Sequence, residues 1–200
     1  MSASDASTEN HAAAANAQIG TRLLASAVVF VFVSFVFAFF YLRAVNSHND
    51  FHPAHVNPQQ GYGIGILVCV LAAVGTFELA RRRLARAALS AWRLGAGVAL
   101  VLALIVVVLQ VVEYLRLPFK TAAGGYASVF WGWTLMFLLC WLGATYWIET
   151  LVAQTLRHSA DGDGGHGSEL LGPAAAGCAV FLVTLGGVQV VAYVLLYLVK

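Results

Sequence analysis

Three residues near the middle of the 200-residue chain, Gln110, Glu113 and Tyr114, carry its densest potential chemistry. They sit in VLQVVEYLRLPF, before a long apolar run has ended. An ionisable side chain inside such a run is costly, which makes Glu113 a functional candidate by default. At helical spacing 110, 113 and 114 share a face, so Gln110 or Tyr114 can hydrogen-bond the Glu113 carboxyl. Arg116 and Lys120 follow closely, and an ion pair with either at the membrane boundary is the other reading. Whether Glu113 is ionised stays open.

Two further carboxylates lie near the ends of apolar runs. Glu78 and Arg81, in TFELARRR, stand at i and i+3 and can pair on one helical face. Glu149 follows a segment rich in aromatics (Trp131, Trp133, Trp141, Tyr146, Trp147) and is a candidate proton-relay carboxyl or a solvated or salt-bridged boundary residue. His48, His52 and His55 fall within eight residues, which raises a metal site. Only Asp50 supports them, so a solvated loop held extended by Pro53 and Pro58 is the preferred reading. His166, with Asp161 and Asp163, lies in a Gly-rich stretch that reads as a flexible connection. Cys69, Cys140 and Cys178 stand singly in apolar runs, as small packing residues would.

The elements that position these groups follow from composition. The chain is 60% hydrophobic and 10% charged, where a soluble domain carries roughly 25% charged residues. Five apolar runs, at about 23–42, 62–80, 94–115, 126–152 and 173–199, each reach the ~20 residues a helix needs to cross the hydrocarbon core. The expected fold is therefore an all-α membrane protein: a flexible cytoplasmic tail over 1–22 and a single five-helix transmembrane domain over 23–200. The first apolar run is too long for a signal peptide and reads as a retained anchor. Pro118, Gly124 and Gly125 make the crossing between the third and fourth helices short, and the small residues and Gly186–Gly187 of the last helix suit close helix packing.

Arg81, Arg82, Arg83, Arg86 and Arg93 make the second connection the most basic, which places it in the cytoplasm. With five spans, the amino terminus is then cytoplasmic and the carboxyl terminus outside. The net charge of +2 says nothing of nucleic acid, because the cations mark helix ends. No proposed span contains a histidine, so no haem or copper ligand set is expected in this chain. Nor is there a nucleophile–base pair, a phosphate loop or an inverted repeat of broken helices.

Several segments resemble subunit III of the haem–copper oxidases, in its five-helix bacterial form. SFVFAFFYLRA is similar to that family's aromatic-rich first-helix end, and TFELARR to its threonine-to-alanine segment followed by basic residues. VLQVVEYLRLPF resembles the family's LQ-x-x-EY helix end, and GGYASVFW the glycine–tyrosine–serine start of the next helix. The resemblance runs from about 24 to 155 and weakens in the last helix. Three features of the family pattern differ here. Ala27, Val28 and Val29 stand where the family carries a buried carboxylate; Phe137 and Cys140 replace a His-x-x-His pair; and the Trp- and His-rich last helix is absent. Roles tied to those residues are not carried over, whereas Glu113 is.

The resemblance implies a cofactor-free subunit of a proton-pumping respiratory oxidase in the bacterial cytoplasmic membrane. Electrons would pass from cytochrome c, or from quinol, to oxygen, with haems and copper in the partner subunits. The implied partners are subunits I and II and membrane lipids held between helix groups, with no nucleic acid. The structural and lipid- or proton-related candidates are Glu113, Gln110, Tyr114, Glu78, Arg81 and Glu149. Two other readings stand beside it: an accessory subunit of a nitric oxide reductase, and a stand-alone small transporter or scaffold with Glu78, Glu113 and Glu149 along a path.

Overall fold

The computed structural model describes residues 3–46, 51–52, 56–86, 88–160 and 167–199. Its five long helices are α1 (Ala3–Val45), α2 (Gln60–Leu84), α3 (Leu89–Arg116), α4 (Gly125–Ala160) and α5 (Gly167–Tyr193). A π-helical turn, Val194–Leu198, continues α5. All five are long and apolar enough to span a membrane, and the described residues contain no strand. The helices outrun the apolar runs that announce them. α1 starts at Ala3, so the segment up to 22, read from sequence as a flexible tail, continues the helix backbone toward the amino terminus. Its alanines are the best helix formers, and polar side chains do not stop a helix as it leaves the bilayer.

α5 holds the bundle together. Over half of its apolar window (56%) is buried, against a third or less in the other four, because α1, α2 and α4 all pack on it. α4 joins α1 to α3, and α3 joins α4 to α2, so the arrangement is a ring left open between α1 and α2 with α5 as its floor. The small residues expected to favour close approach do so selectively. A Cβ on Gly177 would meet the Thr21 hydroxyl oxygen at 2.8 Å and the Trp147 ring at 3.4 Å, and one on Gly186 would meet Val74 at 3.4 Å. Gly187 faces open space.

α2 and α3 form the most extensive pair, along a seam of small residues: Ala73 and Ala80 facing Ala96, Ala99 and Ala103, all fully buried. A Cβ on Gly95 would lie 2.7 Å from that of Ala80. In a bilayer, where burying apolar surface drives little association, such close backbone approach supplies much of the packing attraction. Trp141 adds a directional tie, its indole N–H donating to the Ala103 carbonyl oxygen at 3.0 Å. Cys178 is buried, Cys69 and Cys140 are half-buried, and all three thiols are free.

Candidate functional site

The stretch from α3 into α4 is compact. α3 ends at Arg116, where Pro118 cannot continue the helical hydrogen bonding. Gly124, at φ 141°, adopts a backbone conformation closed to side-chain-bearing residues, and α4 begins at the next position. Ser128 fastens the turn: its hydroxyl donates to the carbonyl of Thr121 at 2.9 Å, and its backbone N–H to that of Gly124 at 3.1 Å. The Tyr126 N–H donates to the Phe51 carbonyl at 2.9 Å, so the α1–α2 connection is drawn onto the start of α4.

Inside this corner lies Glu113, 1% exposed. Its Oε2 accepts a hydrogen bond from the Gln110 side-chain amide at 2.8 Å, one helical turn earlier on α3. Its Oε1 accepts from the Tyr197 hydroxyl at 2.5 Å, from the π-turn after α5. The two donors engage the two carboxyl oxygens, and no cation takes part among the described residues. This arrangement satisfies a buried polar group that would otherwise be strongly destabilising.

Tyr197 is the centre of a four-helix junction. Its ring stacks on Tyr193 at 5.5 Å and meets Phe130 of α4 edge-on at 6.0 Å. On α2 it presses so closely on Gly63 that a Cβ there would lie 2.5 Å from the ring. One residue earlier, the Leu196 carbonyl accepts from the Tyr126 hydroxyl. A helix's last carbonyls have no partner within the helix, so Tyr126 caps one of them from α4. The π-turn, closed by the i→i+5 bond from Val199 N–H to the Val194 carbonyl at 3.0 Å, is thereby tied to α3 and α4 and packed against α2.

Of the groups singled out from sequence, Gln110 and Glu113 meet as their spacing requires. Tyr114 does not join them: its ring stacks on Trp131 at 4.9 Å and 19°, which turns it towards α4. Glu113 makes no ion pair with Arg116 or Lys120, both of which are exposed. Glu78 and Arg81 pair through two hydrogen bonds of 2.7 and 2.8 Å, and Arg82 adds a third at 3.0 Å. These groups are partly open to the surroundings, so the pairing contributes less than about 1 kcal/mol. Glu149 is exposed, without an ion pair among the described residues. It follows Trp147, which packs beside Gly177 and Thr21 at the end of the bundle opposite Glu113.

Among the described residues there is no cluster of three metal-ligating side chains. His48, Asp50, His55, Asp161, Asp163 and His166 lie outside the described residues. His52 is described, and its ring packs edge-on against Tyr126 at 4.4 Å. Sequence reasoning missed Tyr197 and Gly63. A tyrosine in an aromatic-rich helix end reads as a membrane-interface residue, and nothing local links it to a glycine on α2 or a glutamate on α3.

Five apolar helices around a buried, internally satisfied carboxyl, with the other charges towards the ends, describe a multi-pass membrane protein. Against known families, the model of cytochrome c oxidase subunit III matches residues 3–166, well over half of the chain. The chain belongs to that family, and so is a subunit III of a haem–copper oxidase complex that associates with other oxidase subunits. No curated protein sequence matches it significantly. Glu113 lies within the matched stretch, whereas Tyr197 lies beyond it.

Proposed function

We propose that this chain is the non-catalytic subunit III of a proton-pumping terminal oxidase that reduces oxygen with electrons from cytochrome c. It holds no redox centre itself. It packs against subunit I in a complex that also contains subunit II, holds lipids between its helices, and keeps the catalytic subunit active during turnover. The oxidase resides in the bacterial cytoplasmic membrane, with the arginine-rich α2–α3 connection and the amino terminus in the cytoplasm.

One observation supports a structural rather than a transporting role: the bonding of Glu113. Its carboxyl is closed off by Gln110, one turn back on α3, and by Tyr197, whose bond ties α3 to the turn that ends α5. Glu78 and Glu149 lie towards the other end of the bundle, so the three acids form no continuous path and the stand-alone transporter reading loses its route. The test is to purify the tagged chain in mild detergent, record its reduced-minus-oxidised visible spectrum, and follow oxygen consumption. Co-purifying haem bands with oxygen reduction are expected. Nitric oxide reduction in place of oxygen reduction would transfer the chain to the reductase relative. An oxidase core equally active and durable without this chain would remove the stabilising role.

A further inference from the structure

Three carboxylates lie within the spanning helices, and the chain answers two of them itself. Glu113 accepts hydrogen bonds from Gln110 and Tyr197, and Glu78 is neutralised by Arg81 and Arg82 on its own helix. Glu149 also falls inside a span, Gly125–Arg157, yet it is exposed and has no hydrogen bond or ion pair among the described residues. α4 cannot supply a cation to it. The positions one turn away are Thr145, Tyr146, Val152 and Ala153, and Arg157 stands about 12 Å further along the axis. An acid at membrane depth pairs with a cation or faces water, so the partner of Glu149 is to be sought outside the chain.

The face that carries Glu149 is built for a helix. Leu135, Leu139, Leu142, Tyr146 and Glu149 are all exposed and follow one another at alternating steps of four and three residues. That spacing is the 3.5-residue repeat of a seam between two helices crossing at a shallow angle. From Leu135 to Glu149 it runs about 21 Å, most of a hydrocarbon core about 30 Å thick. Gly143, flanked by Leu139 and Tyr146, leaves a notch, since a Cβ there would meet nothing within 4 Å. The outward face of α3 is different: Val98, Val101, Leu104, Ile105 and Val108 are exposed, and every one is a branched aliphatic suited to lipid.

We infer that the outward face of α4 is the docking seam for one transmembrane helix of another oxidase subunit, which carries an arginine or lysine opposite Glu149. The inference rests on the reading of this chain as an oxidase subunit and adds the face and the charge by which it is held. The partner's aliphatic side chains fill the seam and the Gly143 notch, and its cation pairs with Glu149 at the end of the bundle where Trp147 packs beside Gly177 and Thr21.

The test places the photo-crosslinker p-benzoyl-phenylalanine at Leu139 in the intact complex, irradiates it in native membranes, and identifies the joined peptides by mass spectrometry. Leu139 should link to one transmembrane peptide of another subunit, bearing a lysine or arginine at the depth of Glu149. The same reagent at Val101 on α3 should not reach that helix. Glu149→Arg should lower retention of the chain in the purified complex about tenfold, and replacing the partner's cation by Glu should restore it. Gly143→Leu, whose new side chain starts in open space within this chain, should lower retention as well.

Links from Leu139 to lipid alone, to a second copy of this chain, or to a helix without a cation at that depth would each overturn the inference. So would full retention of Glu149→Arg, or loss that the charge swap does not restore. The visible spectrum of the wild-type preparation separates the two levels. A haem-bearing complex without the expected link defeats the docking seam alone, whereas a colourless chain defeats the oxidase role.

Discussion

Replacing Tyr197 by Phe removes one hydroxyl and leaves the ring that packs on Gly63, Phe130 and Tyr193. What changes is Glu113, whose Oε1 loses its donor inside a bundle where its side chain is buried. An unsatisfied buried polar group costs about 1–3 kcal/mol, while side-chain hydrogen bonds measured within membranes average about 0.6 kcal/mol and reach about 1.7. The carboxyl keeps its bond from Gln110. We therefore expect Tyr197→Phe to destabilise the protein by about 1–2 kcal/mol. Reversible unfolding in mixed micelles, followed by tryptophan fluorescence, measures it. A double-mutant cycle with Glu113→Ala isolates the pair and should give a coupling of about 1 kcal/mol. A Tyr197→Phe protein as stable as wild type within 0.3 kcal/mol, with no coupling in the cycle, would refute the claim that this bond fastens α5 to α3.

Glu113→Gln preserves an acceptor for Tyr197, and the Gln110 amide can turn to offer its oxygen to the new NH₂. It should therefore cost less than about 1 kcal/mol and leave oxygen turnover and proton pumping intact; lost pumping at full stability would make Glu113 a proton carrier instead of a clasp. Gly63→Ala forces the Tyr197 ring away and should destabilise by about 1–3 kcal/mol, an effect largely absent when Tyr197 is already Leu, as a stability cycle would show. Gly95→Val pushes α2 and α3 apart at Ala80 and should cost more than about 2 kcal/mol by the same unfolding measurement. Glu78→Gln removes only a partly open ion pair, so unfolding should shift by less than about 1 kcal/mol.

The pairing of Gln110 with Glu113 and of Glu78 with Arg81 was legible in the sequence because each joins residues one helical turn apart. Once the helix is assigned, geometry does the rest. Tyr114 shows where that reasoning stops. It shares the face of Glu113 by spacing, yet stacking on Trp131 turns its ring towards the next helix. Tyr197 was not legible at all. It stands 84 positions from Glu113, in a π-turn that adds one residue to the last helical turn. No 3.6-residue pattern anticipates such a turn.

Five membrane-spanning helices, short of their exact ends, follow from the sequence alone. Twenty apolar residues have no stable alternative in a bilayer, where every backbone polar group must be bonded within its own segment. Which helix sits at the centre, which glycines are filled and which stay open, and where the buried carboxyl finds its second donor were decided only by tertiary packing. In hydrocarbon, lipid-facing and protein-facing residues are equally apolar, so composition carries little phase information. The choice among faces rests on close approach of small residues and on a few long-range hydrogen bonds, and neither exists until the helices meet.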